Sequence, residues 1–458
     1  MTLAPPPWTP SAEPVREVDV LVAGGGASGL SLTAHLVDAA RRAGMRQPSV
    51  LVVDDARHPL DERLWASWSR GHGLLDAAVS RSWDTVTVHT GDGVRTLPLG
   101  PYRYRAVRGR DLRRAVTDVV GDPDHRDPEL SRPNHSDREH RAGPGSVRWL
   151  RDTVLGARVG RGYVDVTLRE GPQVRARWVF DSTMTPPPGP VPAEMAFLGW
   201  EVETDRPHGQ DIPVFMDFRT PSLPGTLAFV YLLPLGDHRL LAEYTALRGT
   251  ADPRAWTAPS RPDPHTGHHE QALREYLDDV VRAGDYRVRR TEHGVLPLGT
   301  TPRRTVRSAV IPIGTPAGMI KASTGYAYRR IQKDSALLAS AFVRGRGPFA
   351  TAGENSGGGG RGTPERSPSG RWHASGDALR TRLGGRRHPQ LDRVLLEVIR
   401  REPAALQRVF HGLLRPEHIG DVLAFLDEET GLRQERRLLG AVPGGPFLAA
   451  LPAALRRR

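Results

Sequence analysis

Apolar and polar positions along this chain follow two periods, and the switch between them marks out the elements. "VDVLVAGGG" is a short apolar run of the kind that forms a strand covered on both faces. "SGLSLTAHLVDAARRAG" follows with helical spacing and stops at Gly44, and "SVLVVDD" predicts a second buried strand ending at Asp54. "RGYVDVTLRE" and "QVRARWVFDS" predict two more strands. "GTLAFVYLLPLGDHR" and "LLAEYTAL" predict a hairpin that turns at Gly236-Asp237. Next come a helix in "QALREYLDDVVRAG", a strand and turn in "SAVIPIGTPAG", and a long helix opening at Gly325 in "GYAYRRIQKDSALLASAFVRG". From Leu391 the spacing is helical again. Three polar segments rich in Pro, Gly and charge (residues 121–145, 250–269 and 344–387) interrupt the pattern as insertions or linkers.

One position does not fit its apolar surroundings. Glu243 stands in the middle of "LLAEYTAL" and shares a strand face with Leu241, Thr245 and Leu247. It is either a solvated or arginine-paired side chain, or an acid buried on a core face.

Composition narrows the chemistry. Among the 458 residues there is no cysteine, which excludes disulfides, thiolate metal sites and cysteine nucleophiles. The formal charge of +12 is carried almost wholly by arginine, Lys321 and Lys333 being the only lysines. A basic balance suits an anionic membrane surface or nucleic acid. No basic motif interleaved with aromatics supports the latter, so no nucleic acid is expected. His265, His268 and His269 lie in a Pro/Gly-rich stretch without acidic residues at ligand spacing, so no metal site is expected. The N-terminus lacks the basic start and apolar run of a signal peptide, and no stretch approaches the ~18 apolar residues of a spanning helix. The apolar tail is interrupted by Pro443, Pro446 and Pro452 and is expected to touch an interface without crossing it.

Gly24-x-Gly26-x-x-Gly29 joins the first strand to the first helix, and Asp54 closes the second strand. In that setting the glycines allow a tight turn and close approach of a pyrophosphate to the helix start at Ala27 and Ser28, and Asp54 is placed to accept from a ribose. FAD and NAD share this fingerprint. The second glycine set, Gly314, Gly318 and Gly325 in "VIPIGTPAGMIKASTGYAYRRIQ", resembles the flavin-contacting motif of aromatic-hydroxylase-like flavoproteins. There a helix N-terminus beside the ring would stabilise an anionic reduced flavin. Those hydroxylases carry Gly-Asp where this chain has Gly314-Thr315, which argues against ordinary hydroxylation.

A wider set of segments resembles the FAD-dependent lycopene cyclases of the bacterial β-cyclase type. They are "YRYRAVRGRDLRRAV", "FLGWEVET", "MDFR", "FVYLLPL" with "LLAEYT", "EHGVLPLG", and "IGTPAGMIKASTGYAYRRIQ", in that order, together with the C-terminal end. "LWASWS" and "AEYT" are departures from the family's Thr-Trp pair and Glu-x-Thr motif. The resemblance implies an α/β fold, with a Rossmann-like FAD-binding domain, a β-sheet-containing substrate domain and a helical C-terminal region. The expected division is 15–120 and 146–185 for the FAD-binding domain, 186–300 for the substrate region and 301–343 for a return to the first domain. A low-complexity insertion (344–387) and the helical region (388–458) complete it. It implies isomerisation of acyclic lycopene end groups to β-ionone rings, with reduced FAD unconsumed and NAD(P)H as reductant. Glu243 becomes the candidate acid, Asp217 a second acid that orients the site, and Trp200, Phe229, Tyr231 and Tyr326 candidate substrate contacts. A hydrocarbon substrate implies a cytoplasmic protein held peripherally on the inner face of the cell membrane. A flavin monooxygenase or dehydrogenase, or a non-catalytic carotenoid or flavin binder, are the alternatives.

Overall fold

The computed structural model describes residues 16–57, 60–90, 92–121, 145–183, 191–250, 263–299, 309–345 and 387–456. Most of each of the expected insertions at 121–145, 250–269 and 344–387 lies outside the described residues.

Two seven-stranded sheets organise the described chain. The first holds the apolar runs seen in the sequence. Arg16–Ala23 pairs in parallel with Val50–Asp54 on one side and Val174–Asp181 on the other, and Val147–Arg151 and Val310–Pro312 extend the parallel set. Val164–Leu168 and Val154–Val159 add an antiparallel edge. Parallel strands require cover on both faces, which explains why Val20, Leu21, Val22 and Val50 through Val53 are all buried. Helices Ala27–Arg42, Gly109–Val120 and Tyr328–Val343 pack on one of those faces, their buried residues joining Val20, Val22, Val50 and Val52 in a single cluster.

The second sheet runs Tyr286–Leu298, Ala193–Thr204, Arg239–Gly249, Thr226–Gly236, Val214–Asp217, Thr85–Thr90, Gly93–Pro98. The hairpin falls where the alternation placed it, with its turn between Gly236 and Arg239. The central strands of this sheet are buried on both faces. On one, Phe229, Tyr231, Leu241 and Leu247 meet the C-terminal helices. On the other, Trp200, Val230, Ala242 and Tyr244 meet helix Thr266–Glu275 and the π-helical turn Tyr276–Val281 that continues it. Strands Thr85–Thr90 and Gly93–Pro98 belong to this sheet, although they fall inside the 15–120 span expected for the nucleotide domain. A small third sheet, Leu64–Ser69, Arg103–Arg108 and Val79–Trp83, bridges the two.

The C-terminal region is helical: Arg387–Arg401, Ala405–Leu413, Ile419–Leu426, Leu432–Gly440 and Gly444–Arg456. Lys321 locks it to the loop before Tyr328–Val343. Its Nζ donates to Asp392 Oδ2 at 2.7 Å and Glu428 Oε1 at 3.2 Å, a buried charge satisfied by two carboxylates. Among the described residues no helix is long and apolar enough to cross a membrane.

Candidate active site

The glycine turn opens onto the N-terminus of helix Ala27–Arg42. Gly29 is sterically required: a Cβ there would sit 1.9 Å from the Gly24 carbonyl oxygen. Gly26 caps the helix without a side chain, nothing lies within 4 Å of where its Cβ would be, and the first turn holds no acid. An open, uncapped helix start of this kind fits a dinucleotide pyrophosphate. Asp54 accepts from the amides of Gly25 (2.6 Å) and Ala56 (2.7 Å), which pins the turn and leaves each carboxylate oxygen a further lone pair for a ribose hydroxyl.

The second glycine set approaches the same place. Gly314, at φ +64°, packs so closely on the helix start that a Cβ would come 2.5 Å from Ser28 Oγ. Gly318 and Gly325 bound the following loop, and a Cβ on Gly325 would meet Met195 Sδ at 2.6 Å. The helix expected to open at Gly325 instead begins at Tyr328. The three residues before it are used to turn the backbone, with Lys321 N donating to Tyr326 O at 2.9 Å.

Glu243 lies on the C-terminal-helix face of the second sheet. In register, Tyr231, Glu243, Gly199 and Glu292 form one row across four strands. Part of Glu243 stays reachable by water, yet protein surrounds its carboxyl as densely as an interior group. Burial, then the Glu292 carboxyl, push its pKa well above the ordinary carboxylate range, against a 3.2 Å hydrogen bond from Thr245 Oγ1. Burial raises Glu292 too, opposed by Arg290, Arg63 and the Leu64 amide. Of the two readings of Glu243, the structure places it on the core face, partly exposed and without an arginine partner among the described residues.

Aromatic rings surround this face. Trp68 lies 4.7 Å from Tyr326, Phe215 5.9 Å from Tyr231, and Phe229 5.1 Å from Tyr231, centroid to centroid and edge to face. Tyr104 and Tyr326 share a hydroxyl hydrogen bond of 3.0 Å, and burial raises Tyr104, Tyr231 and Tyr326 so that all three stay neutral. A small crevice between Trp68 and Tyr326 and the C-terminal helices is lined on its other side by charged residues: Lys321, Arg329, Arg330 and Asp427.

Two candidates fall elsewhere. Trp200 pairs with Ala242 and Thr291, one residue out of step with Glu243, so it points to the opposite face, beneath Arg274 at 5.3 Å. Asp217 is also turned away: it is 0% exposed and accepts from Tyr276 Oη (2.8 Å), Arg219 Nε (2.9 Å) and Arg219 Nη2 (2.7 Å). Burial pushes its pKa up, but these donors outweigh it and hold the carboxylate below its ordinary value. Its contacts are those of a structural ion pair. Asp217 thus lies off the Glu243 row, whereas Glu292, which the sequence left unassigned, stands in it. Phe229, Tyr231 and Tyr326 do gather on the Glu243 face, joined by Trp68, Tyr104 and Phe215. His269, expected in a solvated loop, is buried on its helix with its ring 4.7 Å from Tyr244.

The family model for lycopene cyclase protein matches residues 19–124 and 139–374. The chain belongs to the lycopene cyclase family. A lycopene beta-cyclase of Paracoccus sp. (strain N81106 / MBIC 01143) is 28% identical over 324 residues, covering 67% of this chain and 69% of that protein. The chloroplastic lycopene beta cyclase of Arabidopsis thaliana is 22% identical over 347 residues, 71% of this chain and 60% of the plant protein. Among solved structures, a geranylgeranyl bacteriochlorophyll reductase-like protein from Thermoplasma acidophilum superposes with a TM-score of 0.57 at 11% identity, over 96% of this chain and all of that one. A flavoprotein/dehydrogenase from Cytophaga hutchinsonii gives 0.56 at 12% identity, again over 96% of this chain and all of that one. The α/β architecture is therefore that of the flavoproteins, as the two glycine sets implied.

Proposed function

We propose that this protein is a lycopene β-cyclase that converts acyclic end groups into β-ionone rings by proton-initiated cyclisation. The observation that supports the reading most is the placement of Glu243 on an aromatic-lined face of a lycopene cyclase-family chain, where burial of its carboxyl and the nearby Glu292 favour the protonated form. An alkene is a very weak base, so its protonation needs an acid held against the carbon in a site free of bulk water. Glu243 gives its proton to C2, leaving a tertiary cation at C1. The C5–C6 double bond closes on C1, and loss of the C6 proton restores neutrality, with no net redox change. Trp68, Phe215, Tyr231 and Tyr326 surround the charge with aromatic rings, and a face turned to the cation is worth about 0.5–2 kcal/mol. The neutral tyrosines add no competing nucleophilic phenolate.

The turn at Gly24, Gly26 and Gly29, the helix start at Ala27 and Ser28, Asp54, and the Gly314–Gly318 loop would hold FAD. Reduced by NAD(P)H, that cofactor would supply negative charge near the cation and leave the cycle unchanged. The substrate dissolves only in lipid. The protein is accordingly assigned to the inner face of the cell membrane as a peripheral enzyme. Leu448 (67% exposed) and Leu451 on the last helix, and Leu432 and Leu439 on the one before it, give that attachment its apolar contacts.

The test is expression in a lycopene-accumulating bacterial host with separation of the pigments. Conversion to γ-carotene or β-carotene is expected. Unchanged lycopene beside folded, flavin-bound protein would refute the reading, and NAD(P)H or oxygen consumed in proportion to product would favour an oxidoreductase.

A further inference from the structure

We infer that Glu292 is a positioning residue for the proton chemistry: acting across Gly199, it makes Glu243 the proton-bearing member of a carboxyl pair and a strong base once that proton has gone. The inference rests on the cyclase reading for its consequence, though the pairing itself stands on geometry.

Gly199 pairs directly with Glu243 on one side and Glu292 on the other, so all three project toward the same face. The two glutamate strands are about 10 Å apart, twice the ~4.8 Å strand spacing, and two extended glutamate side chains can close much of that gap. Only the lack of a side chain between them keeps it open. A Cβ on residue 199 would lie 3.1 Å from Glu292 Cγ and 3.5 Å from Glu292 Oε1.

The surroundings of the two carboxyls differ in charge. Glu292 is 7% exposed, with Arg290 Nη1 at 3.7 Å, Arg63 near, and the Leu64 amide donating to it. Glu201, from the neighbouring strand, opposes it but is itself clamped by Arg108 at 2.9 Å on both oxygens. Among the described residues the groups around Glu243 are Thr245, the neutral phenols Tyr104 and Tyr231, and Glu292 itself, and none of these is a cation. A pair sharing one negative charge therefore keeps the charge on Glu292 and the proton on Glu243. After Glu243 protonates C2, two carboxylates face each other. Their repulsion favours return of one proton, and the proton leaving C6 is the one available. One proton leaves Glu243 and one comes back, and the product is an isomer of the substrate.

The experiment uses full-length, flavin-containing protein in lipid vesicles without substrate. The protonated-carboxyl infrared band that disappears in Glu243→Gln is followed through a pH titration in wild type, Glu292→Gln and Glu292→Asp. Glu292→Gln is expected to lower the midpoint of that band by about one pH unit or more. Glu292→Asp, which keeps the charge but withdraws it by one methylene, is expected to lower it less. With lycopene present, the alkaline limb of the rate profile should move down by the same amount, and the rate should recover at lower pH. A midpoint within about 0.3 unit of wild type in both variants would overturn the inference. So would a loss of rate equal at every pH, the mark of a purely structural residue. Failure of the cyclase reading would show separately, as absence of ring products from wild type, and leaves the infrared midpoints informative.

Discussion

Replacing Glu243 by glutamine should separate the two consequences of burying an acid. Glutamine keeps the shape and the Thr245 contact at 3.2 Å but has no proton to give. Loss of a positioned general acid typically costs 10²–10⁴ in rate, or about 3–5.5 kcal/mol of barrier. The upper end is expected here because an alkene is a far weaker base than the usual substrates of a general acid. Stability should move the other way. Burial and Glu292 raise the folded pKa of Glu243 above its unfolded value of 4.5. The folded chain thus holds a proton that the unfolded chain has lost, and the protonated acid's contribution is complete below 4.5. It drains away as pH rises from 4.5 toward neutrality and above, at ~1.4 kcal/mol per pH unit inside that window. Glu243→Gln does not titrate and escapes this loss. The two proteins should melt together near pH 5, and the variant should be the more stable by on the order of 1–3 kcal/mol at pH 8. Melting curves across pH 5–8 and lycopene turnover in vesicles measure both. Turnover within about threefold of wild type, or a melting difference independent of pH, would refute the reasoning.

Three further outcomes are expected. Gly29→Ala, whose Cβ would collide with the Gly24 carbonyl at 1.9 Å, should purify with flavin content reduced about tenfold or more, read from absorbance of the released cofactor. Trp68→Leu removes the edge contact to Tyr326 at 4.7 Å, and kcat should fall about 2–30-fold with KM nearly unchanged, matching the ~0.5–2 kcal/mol of a cation–π contact. Asp217→Ala leaves the buried Tyr276 hydroxyl without its acceptor and the half-exposed Arg219 without its partner, so denaturant unfolding should show a loss of about 1–3 kcal/mol. Because donors lower the Asp217 pKa, its contribution is present above 3.8 and lost as pH falls below it, so the gap between variant and wild type should narrow in acid.

Much of this site was legible because it depends on local pattern. The strand–glycine–helix unit, the hairpin and the odd carboxylate within it are short-range features, and Leu241, Thr245 and Leu247 share the Glu243 face as alternation requires. What was missed depends on pairing between distant strands. Trp200 is a candidate substrate contact by its aromatic ring alone, but its register against Ala242 sends it behind the sheet. Glu292 follows Arg287, Arg289, Arg290 and Thr291, a sequence that looks like a solvated edge. It is the register with Gly199 that brings it opposite Glu243. The Trp68, Tyr104 and Phe215 rings come from three separate strands, and no linear pattern unites them.

The double burial of the second sheet constrains how this scaffold can change. Along Arg239–Gly249, odd-numbered residues face the chemistry and even-numbered ones hold helix Thr266–Glu275. Inserting or deleting a single residue would exchange the two sets, presenting Tyr244 to the substrate and burying Glu243 behind the sheet. New ring types or new substrates are therefore reachable by point substitution at alternate positions such as 229, 231, 241 and 245, whereas length changes in these strands are closed to evolution and to the engineer alike.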